Sequence, residues 1–270
     1  MTPPSTDFAS RVKGAVRRNF NQSADAYRAF EKKTRFFYTL ALKLAEWMGI
    51  KKGDTILDIG CGNGVSCVAL REYCQGTVYG IDLSEAMITD ARQRIQDPHI
   101  HLIVGDGENL GMAVGDQRFD AVTYNAALFV FPNAGESLSQ AKTFLKPGGS
   151  LGFSFYPRVY GPGNSDLIGW AYERLELPLP KFRTITPWEK ACHALESAFG
   201  NIETTTYEMD GSVSFLIDFF SIPAQSASLF PKHPYEERAQ KVGELFESLH
   251  EWDGHFTIGW DMAKAENRDV

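Results

Sequence analysis

A glycine-rich turn between a predicted strand and a predicted helix constrains this chain more than any other feature. The turn follows the β-branched run Thr55–Gly60 and precedes Val65–Tyr73, a segment of small and apolar residues with helical character. Gly60, Gly62 and Gly64 stand at alternate positions of the turn. Glycine tolerates positive φ and allows a ligand to approach the backbone closely, and a helix N-terminus presents unpaired N–H groups. The turn therefore predicts a nucleotide-type ligand, with an ordinary tight packing turn as the alternative.

Strands and helices alternate regularly from residue 55 to residue 157. Such alternation indicates βαβ units and a parallel sheet covered on both faces. Right-handed crossovers then favour an α/β fold with a doubly wound, Rossmann-like, mostly parallel sheet of seven strands and helical cap insertions. The predicted strands are Thr55–Gly60, Thr77–Leu83, Ile100–Gly105, Phe119–Ala127, Ser150–Phe155, Ile202–Met209 and His255–Ala263, and the helices between the first five are Val65–Tyr73, Glu85–Ile95 and Ala134–Leu145.

The length of 270 residues lies between one and two ordinary domains. We expect a single domain over 1–270. Its core is predicted at about 49–157, 186–210 and 255–266. The cap is predicted from 7–48, where two or three helices are expected, from 158–185 and from 211–254. Within the cap, helices are expected around Asp166–Leu175 and over the amphipathic stretch Pro234–Trp252, while Thr186-Pro187 opens a further helix at the edge of the core.

The charge balance limits the classes of partner. With 27 Lys and Arg against 34 Asp and Glu, the net charge is −7, which argues against sequence-independent binding of nucleic acid. Basic residues do cluster near the N-terminus, and a solvated helix face is the simplest interpretation of them. They are Arg11, Lys13, Arg17, Arg18, Arg28, Lys32, Lys33 and Arg35.

The cellular compartment is predicted from three features that the sequence lacks. No run of about 18 uncharged apolar residues occurs, and Met1–Ser10 lacks the apolar core of a signal peptide. The four cysteines include no C-x-x-C pair and are expected to be free thiols. A hydrophobic content of 43% is ample for a packed core. We therefore expect a folded, cytoplasmic protein.

The spacing of the glycines bears on which nucleotide binds. A dinucleotide site prefers G-x-G-x-x-G, whereas Val65 occupies the place of the third glycine here. Asp82 ends the second predicted strand, where a carboxylate can accept hydrogen bonds from ribose hydroxyls. This acid suits any adenosine ligand, so the residues alone leave a nicotinamide-dependent oxidoreductase open as an alternative.

Five segments in order resemble motifs of the class I S-adenosylmethionine-dependent methyltransferases. The resemblance covers about a hundred residues and implies the Rossmann-like fold, methyl transfer and S-adenosylmethionine as cofactor. The segments are LDIGCGNG (57–64), GIDLSEAMI (80–88), VGDGENL (104–110), FDAVTYNAALFVFPN (119–133) and LKPGGSLGFSF (145–155).

The same resemblance implies a set of cofactor-binding residues. The glycine loop would contact the methionine part, Asp82 the ribose and Asp106 the adenine amino group. The segment NFNQSADAYRAFEK (19–32) is similar to the start of ubiquinone/menaquinone-type and malonyl-carrier-protein methyltransferases, which implies that Tyr27 lies over the cofactor; a packing tyrosine is the alternative. The full predicted set is Tyr27, Asp58, Gly60, Cys61, Gly62, Asn63, Gly64, Asp82, Leu83, Met87, Asp106, Gly107, Glu108 and Asn125.

The acceptor is less constrained, because the sequence departs from both groups of relatives after Pro157. Aromatic residues in the predicted rim suggest a small hydrophobic acceptor held under a lid, with ordinary core packing as the alternative for each of them. No spacing among the six histidines resembles a metal site, and no catalytic residue is singled out. A methyltransferase-like cyclase or scaffold that binds cofactor without methyl transfer stays open. The candidate acceptor residues are Phe129, Tyr156, Tyr160, Phe215 and Phe219.

Overall fold

The computed structural model describes residues 6–181 and 183–268, so the predicted domain limits at 1 and 270 lie outside the described residues. Three helices precede the first strand, as predicted: α1 (Thr6–Asn21), α2 (Ala24–Thr34) and α3 (Phe36–Met48). Arg35 adopts a left-handed conformation with φ 51° and separates α2 from α3. No helix among the described residues is long and apolar enough to cross a membrane.

The predicted alternation of strands and helices is confirmed, with ends that differ by a few residues. The short helix α6 and a 3-10 turn at Leu128–Val130 are elements of this region that the sequence did not indicate. The elements are β1 (Ile56–Ile59), α4 (Val65–Cys74), β2 (Val78–Asp82), α5 (Glu85–Arg94), β3 (Ile100–Val104), α6 (Gly111–Val114), β4 (Phe119–Tyr124), α7 (Ala134–Phe144) and β5 (Leu145–Gly161).

The second half supplies the cap and the last strands. The apolar and aromatic run Val213–Phe220 is helical, and the predicted helix Pro234–Trp252 changes to a 3-10 turn at Ser248. The elements are β6 (Ser165–Asp166), α8 (Leu167–Arg174), α9 (Trp188–Phe199), β7 (Glu203–Asp210), α10 (Val213–Phe220), α11 (Pro223–Leu229), α12 (Tyr235–Glu247) and β8 (Thr257–Glu266).

The sheet has the strand order β3-β2-β1-β4-β5-β8-β7. The five strands β3, β2, β1, β4 and β5 run parallel, while β8 lies antiparallel between β5 and β7. The predicted doubly wound sheet of seven strands is thus confirmed, with β6 as a two-residue addition that pairs with β5. All four residues of β1 are buried, as expected for a central parallel strand covered on both faces.

Strand β5 extends well beyond its predicted bounds of Ser150–Phe155. It continues to Gly161 because its second half pairs with β8, for example Tyr160 with Thr257. Pro157 is tolerated because the register shifts between Ser154 and Pro157, and a proline without an N–H fits such an irregularity. The segment expected to begin the first insertion at 158 therefore starts as strand.

Candidate functional site

The glycine loop lies at the carboxyl end of β1 and leads into α4. Gly60, Gly62 and Gly64 all have positive φ, at 75°, 53° and 80°. A Cβ on Gly60 would stand 2.5 Å from the Cβ of Ala127, whereas one on Gly62 would meet nothing within 4 Å. The loop therefore needs glycine for its backbone conformation, and at Gly60 also for the close approach of the segment that follows β4.

Asp58 lies beneath this loop, fully buried. Its Oδ1 accepts a hydrogen bond of 2.8 Å from Thr123 Oγ1, and its Oδ2 accepts one from the Ser66 hydroxyl. Burial raises the pKa of the carboxyl to about 6, although these hydrogen bonds oppose the shift. Asp58 thus joins β1 to β4 and to α4, behind the loop.

Asp82 stands at the end of β2 and faces the glycine loop. Its Oδ2 accepts a 2.8 Å hydrogen bond from the Gly62 N–H, and its Oδ1 accepts one of the same length from the Ser84 N–H. Ser84 in turn caps α5, since its hydroxyl accepts from the Met87 N–H at 3.2 Å. Burial raises the pKa of the Asp82 carboxyl. This carboxylate is therefore fixed at the rim of a cleft with lone pairs available to a ligand.

The first cleft encloses about 630 Å³, including space open to solvent. It lies above the carboxyl ends of β1, β2 and β4, where doubly wound sheets bind ligands. The predicted cofactor residues that line it are Gly60, Asp82, Leu83, Asp106, Gly107 and Glu108. The residues lining it that the sequence did not single out for a ligand include Lys13, Val16, Arg17, Phe20 and Val130.

Lys13 of α1 closes one end of this cleft. Its Nζ lies 2.6 Å from Asp106 Oδ2 and 2.7 Å from Glu108 Oε2. Burial alone would lower the pKa of Lys13, but the hydrogen bonds and charges of the two carboxylates raise it. Glu108 is also held by the Asn133 N–H at 2.6 Å. The interpretation of Lys13 as part of a solvated helix face is therefore wrong, whereas Arg17 is exposed although it also lines the cleft.

A second cleft of about 470 Å³ meets the first at Phe20, Gly60 and Ala126. Together the two form an elongated groove across the end of the sheet. The second cleft is lined by the predicted residues Tyr27, Gly60, Cys61, Gly62, Asn63, Met87 and Asn125, and by the unpredicted Phe20, Glu31, Phe37, Val65, Ser66 and Ala126. Of the predicted cofactor residues, Asp58 and Gly64 line neither cleft.

The second cleft holds several polar groups. The Nδ2 of Asn63 is buried without a hydrogen-bond partner among the described residues. Glu31 accepts from the N–H groups of Phe37 and Tyr38 at 2.9 and 3.2 Å, and burial raises the pKa of its carboxyl. Asn125 donates from Nδ2 to the Phe37 carbonyl at 3.0 Å. A buried donor without an acceptor in the protein indicates a ligand at this place.

The structure does not bring the five predicted acceptor residues into one cavity. Phe215 and Phe219 are buried in an aromatic cluster, which we define as Phe30, Phe36, Phe37, Phe215, Phe219 and Trp260.

The other three lie along β5 and the turn after β4. Phe129 packs edge-on against Phe155 and Tyr156, at centroid distances of 5.7 and 5.2 Å. Tyr156 and Tyr160 line a third, open cleft beside α9, where the Tyr160 hydroxyl donates to Glu208.

Besides the residues next to the motifs, the sequence did not indicate the contribution of the N-terminal helices to the site, Tyr27 excepted. Lys13, Phe20, Glu31 and Phe37 reach the clefts from α1, α2 and α3. Their spacing follows the packing of three helices over the sheet and matches no motif. The one signal in the sequence for their role was the cluster of basic residues near the N-terminus of a chain whose net charge is negative.

Comparison with known proteins identifies the part of the chain that matches a known domain. Residues 57–153 match the family model described as a methyltransferase domain. The chain is 30% identical over 151 residues to a 2-phytyl-1,4-naphtoquinone methyltransferase of Trichormus variabilis, covering 54% of this chain and 64% of that one. It is also 30% identical over 159 residues to a malonyl-[acyl-carrier protein] O-methyltransferase of Halalkalibacterium halodurans, covering 56% of each. The chain thus spans less than two thirds of the length of these relatives.

Among solved structures, the fold is similar to that of geranyl diphosphate C-methyltransferase from Streptomyces coelicolor in complex with Mg²⁺, geranyl diphosphate and S-adenosyl-L-homocysteine. The TM-score is 0.57 at 16% identity, with 98% of this chain and 100% of that chain covered. At this identity the likeness concerns the fold alone.

The residues present fit the cofactor of this family, S-adenosylmethionine. At Gly62 a Cβ would meet no protein atom within 4 Å, so the backbone of the loop is open to a ligand there. Asn63 offers an unpaired donor and Asp82 a fixed carboxylate. The family match favours methyl transfer over the nicotinamide-dependent alternative. Residues 57–153 of this chain therefore match a methyltransferase domain, and the resemblance to class I S-adenosylmethionine-dependent methyltransferases that its motifs predicted is confirmed over this stretch.

Proposed function

We propose that this protein transfers a methyl group from S-adenosylmethionine to oxygen or carbon of a small hydrophobic acceptor. The observation that carries the proposal is the groove formed by the two clefts. The clefts meet at Gly60, and Phe37 of the aromatic cluster lines the second of them. When bound, the cofactor supplies a methyl group made electrophilic by its sulfonium.

The proposed cofactor site divides between the two clefts. In the first, Asp82 would hold the ribose hydroxyls and Asp106 the adenine amino group, beside Leu83, Gly107 and Glu108. In the second, the cofactor's amino-acid part would lie against the loop residues Gly60, Cys61, Gly62 and Asn63, with Tyr27, Met87 and Asn125 around it. Asp58 and Gly64 would act from behind by shaping the loop.

The proposed acceptor site lies on the far side of Phe37. This ring lines the second cleft and contacts Tyr27 at a centroid distance of 5.3 Å and Phe219 at 6.0 Å. An acceptor that displaces or slides past Phe37 would enter the aromatic cluster, which supports an apolar acceptor. We propose Phe215 and Phe219 as its inner wall, and Phe129, Tyr156 and Tyr160 as its outer approach.

The chain's contribution to the reaction would be positioning and the exclusion of water. An ionised carboxylate or phenolate acceptor needs no base, whereas a neutral hydroxyl or carbon acid must also lose a proton. We assign no residue to that proton.

We also propose the division of the chain that the sequence suggests. One domain would have its core at about 49–157, 186–210 and 255–266. Acceptor choice would reside in the cap from 7–48, 158–185 and 211–254. A cytoplasmic location is supported by four free cysteines.

The experiment that tests this function uses the purified full chain with S-adenosylmethionine carrying a labelled methyl group. The panel of acceptors contains quinols, phenols, carboxylic acids and isoprenoid diphosphates. Label in an extracted product, located by mass spectrometry, supports the proposal and identifies the attacked atom. Cofactor binding by calorimetry without labelled product from any class would overturn methyl transfer in favour of a cyclase or scaffold role.

A further inference from the structure

Helix α11 docks on the corner between α1 and α2 through two consecutive residues. The N–H of Ala224 donates to Ser23 Oγ at 2.9 Å, and Nε2 of Gln225 donates to the Tyr27 hydroxyl oxygen at 2.7 Å. Ser23 and Gln225 are both buried, with exposed fractions of 0% and 4%. A segment of the second cap insertion is thus attached directly to the helix that covers the second cleft.

The hydrogen bond from Gln225 limits the hydrogen bonds that the Tyr27 hydroxyl can make with a ligand. A phenol has one proton, and the Tyr27 oxygen already accepts from Gln225. Among residues 6–181 and 183–268, no acceptor for the Tyr27 proton lies within hydrogen-bond distance, and Tyr27 lines the second cleft. That proton is therefore available to a ligand.

The second cleft contains another hydrogen-bond donor without an acceptor in the described part of the chain, the side-chain amide of Asn63. Asn63 is 7% exposed, and its Nδ2 has no partner among the described residues. Two donors without acceptors suit a group that only accepts, and a carboxylate is such a group. In the proposed function, the amino-acid end of the cofactor lies here.

Gln225 is itself held by a short polar chain through the apolar cap. The hydroxyl of Ser228 donates to the backbone carbonyl of Gln225 at 2.6 Å, and the hydroxyls of Tyr156 and Ser228 are 2.7 Å apart. Tyr156 belongs to β5, so the chain connects α2, α11 and the long strand of the sheet. The backbone that carries the Gln225 side chain is thus tied to the sheet, which fixes the point from which this side chain reaches Tyr27.

We propose that Gln225 is a positioning residue for the cofactor cleft: it occupies the acceptor side of the Tyr27 hydroxyl and so directs the Tyr27 proton to the carboxylate of a bound cofactor. The inference rests on the proposed function. It adds a residue of the cap, remote from every motif, to the set that determines cofactor affinity.

The test is a double-mutant cycle on the full chain with S-adenosylmethionine and S-adenosylhomocysteine as probes, measured by calorimetry. Gln225→Met keeps the length of the side chain and removes the donor. It is expected to raise the Kd of both probes by about three- to tenfold, the range for a net hydrogen bond. In a Tyr27→Phe background the same change is expected to alter the Kd by less than about twofold, because the hydroxyl through which Gln225 acts is gone.

The outcomes separate the inference from the function on which it rests. An equal loss of affinity in both backgrounds, or an unchanged Kd for Gln225→Met alone, overturns the positioning role. Absence of binding by the unmodified chain overturns the proposed cofactor site together with the inference. Gln240→Met is the matched control, since Gln240 is exposed on α12 and donates to Glu244 at 2.8 Å; thermal melting of every variant shows which ones remain folded.

Discussion

Thr123 Oγ1 donates a 2.8 Å hydrogen bond to Asp58 Oδ1, and the two residues stand at the ends of neighbouring parallel strands. With the Ser66 hydroxyl on the other carboxylate oxygen, this contact holds the glycine loop from below. The carboxyl is fully buried, and no cation is among the groups that shift its pKa. Ionisation of Asp58 in the folded state is therefore costly.

Asp58 is expected to make stability fall as the pH rises. Its pKa is raised to about 6 in the fold, against about 3.9 in an unfolded chain. Between these two pKa values the carboxyl of Asp58 is protonated in the folded state and ionised in the unfolded state. The free energy of unfolding therefore decreases with increasing pH, by about 2 kcal/mol from pH 4.5 to pH 7.5. Asp58→Asn removes this contribution.

Urea unfolding at the two pH values, for the wild type and Asp58→Asn, measures it. The free energy of unfolding of Asp58→Asn should rise relative to that of the wild type as the pH increases. A difference in unfolding free energy that is the same at both pH values would contradict the assignment, because other titrating groups cancel in the comparison.

Asp82→Ala is expected to weaken the binding of S-adenosylmethionine by about 1.5–3 kcal/mol, as for hydrogen bonds to a charged group. The carboxylate would otherwise accept from the ribose while it holds the Gly62 N–H. Isothermal calorimetry gives the affinity, and Asp116→Ala, which removes an exposed carboxylate that lines neither cleft, is the control. An unchanged Kd for a folded Asp82→Ala variant rules out the ribose role.

Gly60→Ala and Gly62→Ala are expected to differ although both glycines have positive φ. Each substitution costs about 1–2 kcal/mol for the left-handed backbone. At Gly60 the added Cβ also meets the Cβ of Ala127 at 2.5 Å, while at Gly62 it meets open space. Thermal melting should therefore show the larger loss for Gly60→Ala. Equal losses of melting temperature would mean that the segment after β4, which contains Ala127, can move away from the added Cβ at no cost.

Phe37→Ala and Phe219→Ala separate acceptor binding from core packing. Phe219 is 1% exposed, so its truncation should cost about 3–5 kcal/mol of stability. Phe37 is partly exposed and lines the second cleft, so its truncation should cost less stability and raise the acceptor KM. Steady-state kinetics with the acceptor found in the product screen tests this. A KM that rises for neither folded variant argues against an acceptor site at the aromatic cluster.

The first half of the fold follows from local sequence, because each element there carries its own signal. Ser84 caps α5 at the expected residue, and the glycine loop fixes the position of the turn. The second half depends on contacts between distant residues. The sequence does not assign Val213–Phe220 to a helix or a strand, because six of its eight residues are apolar or aromatic and suit a buried element of either kind. The Ser212 hydroxyl, which accepts from the Phe215 N–H at 3.2 Å, caps the segment as a helix.

The candidate site divides in the same way. Residues of the motifs, such as Asp82 and Asp106, could be named because their spacing along strands and turns is set locally. Lys13 and Gln225 could not, since their contacts join residues 93 and 198 positions apart in the chain. Which side chain of a helix faces a cleft depends on how that helix docks, and this is determined by the packing of the whole cap.

The position of β8 between β5 and β7 has a consequence for how the chain acquires its structure. Strand β7 pairs with no strand of the described sheet except β8, and the ribosome synthesises β8 after more than forty further residues. Until then both β5 and β7 present unpaired edges, which invite pairing with other chains. Such non-local pairing also slows folding. The slowest step of maturation is therefore expected to be the insertion of the last strand, while the cofactor cleft at β1, β2 and β4 is built from earlier sequence.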